Sequence, residues 1–243
     1  MQTKSGKGKE CLIIGLLSMF LTVGLSHAQF EIWTYTNGAT STANALVYGT
    51  NNSIYTAGYI NMGTTANDFA MVGLDNAGNE TFVYTHDGPG GTFANDDKAN
   101  AIVYGIDGNI YATGFVSVTG GTYDLCLASL NGSGTERWLV EIGNPSGTSD
   151  EGKAIAFGTD NNIYVAGYSD VGGPGVPDFV VLKYSTQGNF RWYYAFVGSD
   201  TGTANAITYG AIVKNPPRKP LDQNLTSVII QQLNFRIAYG NLT

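Results

Sequence analysis

Three observations predict an all-β fold of the β-propeller type. Gly49, Gly105, Gly158 and Gly210 each follow an aromatic residue and are spaced by 56, 53 and 52 residues, which marks an internal repeat. Each copy is a series of short β-rich runs bounded by Gly, Asn and Asp, and no helical period follows residue 28. One such unit cannot bury its own apolar face, so the copies must stack on one another. Antiparallel four-stranded units of this length suit radial packing, which shelters the sheet edges. The expected fold is about three complete four-stranded blades plus partial blades, forming an incomplete ring.

In chain order, residues 1–28 read as a signal peptide. Lys4, Lys7 and Lys9 precede an apolar stretch over 12–25, and Ser26, His27 and Ala28 offer small residues for cleavage. That stretch is shorter than the roughly 20 residues of a bilayer span. The chain is expected to be secreted, periplasmic or at the cell surface, with no membrane span after cleavage. Its mature form would hold 9 Lys and Arg against 18 Asp and Glu, a net charge of −9. Such an acidic chain is a poor nucleic-acid binder. Cys11 leaves with the leader, so Cys126 stands alone and no internal disulfide can form.

The repeat region spans 29–210. It opens on a lone strand at 31–36 (EIWTYT), followed by units at about 43–98, 99–152 and 153–205. In the middle unit four strands are read: AIVYG (a), NIYATGF (b), DLCLASL (c) and ERWLVEI (d). The other copies keep step through Ile54-Tyr55, Ile110-Tyr111 and Ile163-Tyr164, then Gly58, Gly114 and Gly167. Asp68, Asp124 and Asp178 open strand c, Gly78, Gly134 and Gly188 mark the turn after it, and Trp33, Phe82, Trp138 and Trp192 mark strand d. The aromatic columns are expected to fill the space between blades, and the Asp column to cap loop N–H groups.

After Gly210 the pattern stops. Residues 211–243 carry Lys214, Arg218, Lys219 and Arg236 against Asp222, with prolines at 216, 217 and 220 where strand b belongs. This tail is read either as a divergent end or as the mark of a longer array cut short or read out of frame.

The stretches DFVVLKYSTQGNFRWYYAFVG, EGKAIAFGTDNNIYVAGYSD and ANAIVYGIDGNIYATGF resemble the bacterial SBBP-type β-propeller repeat, over residues 31–210. The resemblance implies a secreted or cell-surface propeller and brings no catalytic motif with it.

Chemistry-bearing residues are few. The one His outside the leader, His86, is expected in an exposed loop, and Cys126 at a buried strand position. GPGG (88–91) and GGPG (172–175) lack the Lys-Ser/Thr of a phosphate loop. Acidic residues concentrate in the b-to-c and d-to-a connections, which read as long and variable, whereas the a-to-b and c-to-d turns read as tight hairpins. Variable loops on a rigid scaffold commonly carry binding. Asp96, Asp97, Asp150 and Glu151 are therefore the candidate ligands for Ca²⁺ or a basic partner, without the regular spacing of an EF-hand loop. No other cofactor and no catalytic residue is assigned. The expected role is a non-enzymatic binding or surface-scaffold module, whose partner is a protein or polysaccharide at the cell surface. The alternatives are a propeller hydrolase or lyase acting on polysaccharide, or a truncated fragment of a larger surface protein without independent function.

Overall fold

A computed structural model describes residues 40–61, 66–89, 96–118, 121–143, 149–169, 177–196, 202–209 and 228–229. The expected leader (1–28), the lone strand at 31–36 and nearly all of the tail lie outside the described residues. Three four-stranded antiparallel sheets follow one another along the chain. The first holds β1 (Thr40–Tyr48), β2 (Ile54–Asn61), β3 (Asp68–Leu74) and β4 (Glu80–His86). The second holds β5 (Lys98–Tyr104), β6 (Ile110–Val118), β7 (Thr122–Leu130) and β8 (Glu136–Ile142). The third holds β9 (Glu151–Phe157), β10 (Asn162–Ser169), β11 (Asp178–Ser185) and β12 (Phe190–Phe196). Strands a to d fall on these elements in every copy. A short fourth sheet pairs β13 (Thr208–Tyr209) with β14 (Val228–Ile229).

Each blade carries the same irregularities. A register shift interrupts the a–b pairing in all three, between Ala43 and Ala45, Ala99 and Ala101, and Ala166 and Gly167. The extra residue bends strand a toward strand b, and the facing glycine accepts the approach. A Cβ on Gly58, Gly114 or Gly167 would sit 1.8, 1.8 or 1.9 Å from the carbonyl oxygen of Thr42, Lys98 or Glu151. A second shift recurs between strands c and d.

The blades stack through strands a and the faces of strands b and c. β5 packs against β1 and β9, and β13 packs against β9. One apolar cluster, including Met71, Ile102, Cys126 and Leu130, fills the junction of blades 1 and 2. Another, including Leu125, Leu127, Ile163 and Leu182, fills that of blades 2 and 3. The aromatic columns repeat at these junctions. Tyr104 stacks on Tyr55 at 5.7 Å, Phe157 on Tyr111 at 5.7 Å and Tyr209 on Tyr164 at 5.5 Å, each time from the next strand a onto the preceding strand b. Phe82 and Trp138 lie against Gly134 and Gly188 of the following blade. Both glycines hold φ near +80°, at 85° and 79°, in a region where a side chain would be strained.

One loop expectation fails. Only residues 119–121 separate β6 from β7, so the b-to-c connection of blade 2 is a tight turn closed by Gly121 N–H to Val118 O at 3.2 Å. Its sequence, TGGT, supplies glycine at φ +84°, which is what a short hairpin needs and a long loop does not.

Candidate functional site

The four candidate carboxylates are supplied by two equivalent segments at the entrance to strand a. Asp97 and Asp150 occupy the same repeat position in consecutive blades. The Asp97 N–H donates to Asn67 O and the Asp150 N–H to Tyr123 O, both at 2.7 Å, and Gly202 repeats the bond to Pro177 O at 2.8 Å. This latch ties the chain at or ahead of each strand a to the residue before Asp68, Asp124 or Asp178 of the preceding copy.

Their side chains are drawn into the scaffold. Asp97 is buried and accepts N–H bonds from Gly88 at 2.7 Å and Ser117 at 2.6 Å. It thereby performs the loop-capping role that was expected of the Asp68 column. Asp96 pairs with Lys98 at 2.8 Å and accepts from Asn67 at 2.6 Å. Glu151 pairs with Lys153 at 2.6 Å and accepts from Asn100 and from Tyr168, each at 2.8 Å. Asp150 is buried. Among the described residues, no three His, Cys, Asp or Glu side chains converge as a metal ion would need. The four candidates thus stand as two separate pairs, Asp96 with Asp97 and Asp150 with Glu151, in different blades.

The carboxylates on this face still feel one another. Burial pushes the Asp68 carboxyl up, and the charges of Asp87 and Asp97 push it further, against a smaller opposing effect of His86. Burial likewise raises Asp124, with Asp150 and Glu141 adding to it. Asp97 is raised by burial, which outweighs its N–H donors. Negative charge is therefore crowded beside both blade junctions. His86, expected in an exposed loop, instead ends β4 and pairs across the junction with Glu141 at 2.7 Å. Cys126 is fully buried, and burial drives its thiol pKa upward, away from a reactive thiolate.

The opposite face holds a polar cleft of about 570 Å³, which residue patterns did not single out. It is lined by the a-to-b turns of blades 2 and 3, with Asp107 and Asp160, and by Ser185, Gln187 and Arg191 from blade 3. Burial works to raise both carboxyls, yet local donors win and hold both below the ordinary value. For Asp107 these are Tyr111 and Asn109, aided by the Arg137 charge; for Asp160 they are chiefly Lys183 and Tyr164. The signal was present as an Asp four residues before the strand-b Tyr, and Tyr111 and Tyr164 do donate to it, at 2.5 and 2.7 Å.

One family model agrees with this architecture. Residues 137–174 match the family model described as SBBP, a β-propeller repeat. No curated protein matches the chain. Among solved structures, the chain is similar to fructan 1-exohydrolase IIa from Cichorium intybus, with 9% identity and a TM-score of 0.39, over 68% of this chain and 35% of that one. It thus spans about a third of that enzyme's length. The matched segment runs from strand d of blade 2 through strand b of blade 3, and its neighbours are copies of the same unit. Residues 137–174 are thus similar to the SBBP β-propeller repeat, and the units on either side repeat the same pattern.

Proposed function

We propose that the chain is a secreted, non-enzymatic propeller module that binds a positively charged partner through its long-connection face. The observation that carries this reading is the crowding of Asp68, Asp87 and Asp97 at one junction and Asp124 and Asp150 at the next, where each group works against ionisation of its neighbours. A basic protein segment laid across both junctions would relieve that repulsion at several points at once. A single Ca²⁺ needs several oxygens at one point. Of the four candidates only the half-buried Asp96 would meet the partner directly; the buried Asp97, Asp150 and Glu151 would add to the negative field from beneath, with Ca²⁺ as a secondary ligand. A cell-surface setting follows from the leader-like residues 1–28.

Calorimetric titration with a Lys-rich peptide should give binding that weakens steeply as salt rises, because exposed charges are screened. No heat at low salt would reject the reading. Titration with Ca²⁺ that gives no heat, together with a melting temperature unmoved by chelator, would remove the ion alone.

A polysaccharide hydrolase reading has one observation in its favour, the pairing of Asp107 and Asp160 in a single cleft. Paired-carboxylate hydrolysis requires one of the two to stay protonated as general acid. Both are held ionised here, so the cleft suits binding better than hydrolysis. Release of reducing sugar from a polysaccharide panel, lost in Asp160→Asn, would reverse that judgement. If the chain is part of a longer surface array, the same acidic face would recur along it.

A further inference from the structure

Blades 2 and 3 seat a cation on the strand b tyrosine in two different ways. In blade 2, Arg137 of strand d lies over the Tyr111 ring at 6.0 Å and donates to the Tyr111 hydroxyl at 3.2 Å and to Ser129 Oγ at 2.9 Å. In blade 3, Lys183 stands where blade 2 has Ser129, for each pairs with the strand d tryptophan of its blade. Its ammonium takes the seat, 5.2 Å from the centre of the Tyr164 ring, and pairs with Asp160 at 2.9 Å. Arg191, the counterpart of Arg137, is thereby displaced and stands exposed on the wall of the cleft that Asp107 and Asp160 share. Among the described residues, no hydrogen bond or ion pair holds its guanidinium. An arginine that the scaffold uses in one copy is thus turned outward in the next.

The charges around this cleft do not cancel. Asp160 is matched by Lys183 and Asp107 by the nearby Arg137 charge, which leaves Arg191 over. Both carboxylates keep lone pairs for hydroxyl donors, and Asn161, Asn162 and Gln187 bring amides that donate as well as accept. The volume of about 570 Å³ lies within the roughly 300 to 1,000 Å³ of small-molecule sites. A cationic ligand would meet Arg191, and a bare anion would leave the two carboxylates without donors. A ligand rich in hydroxyls that also carries a carboxylate answers both. We propose that this cleft binds an acidic saccharide, with a uronate carboxylate on the Arg191 fork and sugar hydroxyls donating to Asp107 and Asp160. Guanidinium and carboxylate match in geometry, two N–H groups to two oxygens. The crowded acidic residues lie a strand's length away on the other face, beyond the Debye length of about 8 Å at physiological salt, and oppose such a ligand little. The proposal is therefore independent of the basic partner.

The test uses the full chain on a printed array in which oligomannuronate and oligogalacturonate stand beside neutral oligosaccharides of the same length. A uronate oligomer should be retained about tenfold better than its neutral counterpart, and Arg191→Ala should lower that retention by about tenfold or more, as the loss of charge-assisted hydrogen bonds implies. The Arg191 side chain is exposed, so the melting temperature should not move. Should it fall, Arg191→Lys, which keeps the charge and loses the fork, reads the same preference. Uronate oligomers retained no better than neutral ones, or retention that survives both replacements, would overturn the proposal. Binding of a Lys-rich peptide should be equal in the parent and Arg191→Ala, so the two readings fail separately.

Discussion

Gly114 and Gly121 sit in the same blade and are glycines for different reasons. At Gly114 a Cβ would meet the Lys98 carbonyl oxygen at 1.8 Å, whereas at Gly121 it would meet nothing and only the φ of +84° is at stake. Gly114→Ala should therefore cost about 3 kcal/mol or more through backbone displacement, and Gly121→Ala about 1 kcal/mol. Urea denaturation of the two variants checks the difference; equal costs would show that the close approach at the bulge is not real. Asp124 offers a test of the crowded charge. Its pKa is raised in the folded state by burial and then by Asp150 and Glu141. A raised carboxyl means that the folded state binds its proton more tightly, so stability falls as pH rises from the unfolded value of about 3.9 through the folded one. Asp124→Asn removes that loss and should raise the melting temperature at pH 7, with the gain vanishing below about pH 4. A variant less stable at pH 7 than the parent would show that the carboxylate is a net structural contact.

At the scale of elements, strand d decides how blades adhere. Trp138 packs on Tyr111 at 5.9 Å and lies against Gly188, and its Nε1–H donates to Thr186 O at 3.0 Å. Trp138→Phe should keep the packing and lose the hydrogen bond, at about 1 kcal/mol. Trp138→Ala should cost about 3 kcal/mol or more, because the junction of blades 2 and 3 is left with a cavity. Thermal unfolding of both variants reads the two contributions apart. The strand assignments were legible because four β-rich runs per copy recur in register with the turn glycines. The wrongly expected long b-to-c loop of blade 2 was not, since TGGT is compatible with either a flexible loop or a tight turn. His86 was misplaced for a related reason. Gly88 to Gly91 follow it closely and suggested a loop, but His86 still pairs with Phe69 of β3, and its ring meets Glu141 of the next blade, 55 residues away.

Among the described residues, three blades stack in one direction, and the two sides of the stack differ in exposure. Blade 1 ends in exposed Leu46 and Tyr48. On β12 of blade 3, Tyr194 and Phe196 are more than half exposed, whereas their equivalents in blades 1 and 2 are half-buried. Net charge of −7 and acidic crowding on the long-connection face belong to this scale as well. They make association with a basic partner salt-dependent, without specifying one.

The sequence alone determined the unit, its strands and its turn glycines, since these are local properties that repetition makes visible three times over. It also assigned many of the acidic residues, Asp68, Asp97, Asp124 and Asp150 among them, to one face, because antiparallel connectivity alternates the ends from which loops emerge. Only the tertiary structure decided what those residues do. Asp97 turned out to be a cap, Glu151 a paired side chain, and Asp107 and Asp160 partners in one cleft. Each of these depends on which atoms a neighbouring blade presents, about fifty residues along the chain, and such meetings are fixed by blade packing rather than by spacing within one copy.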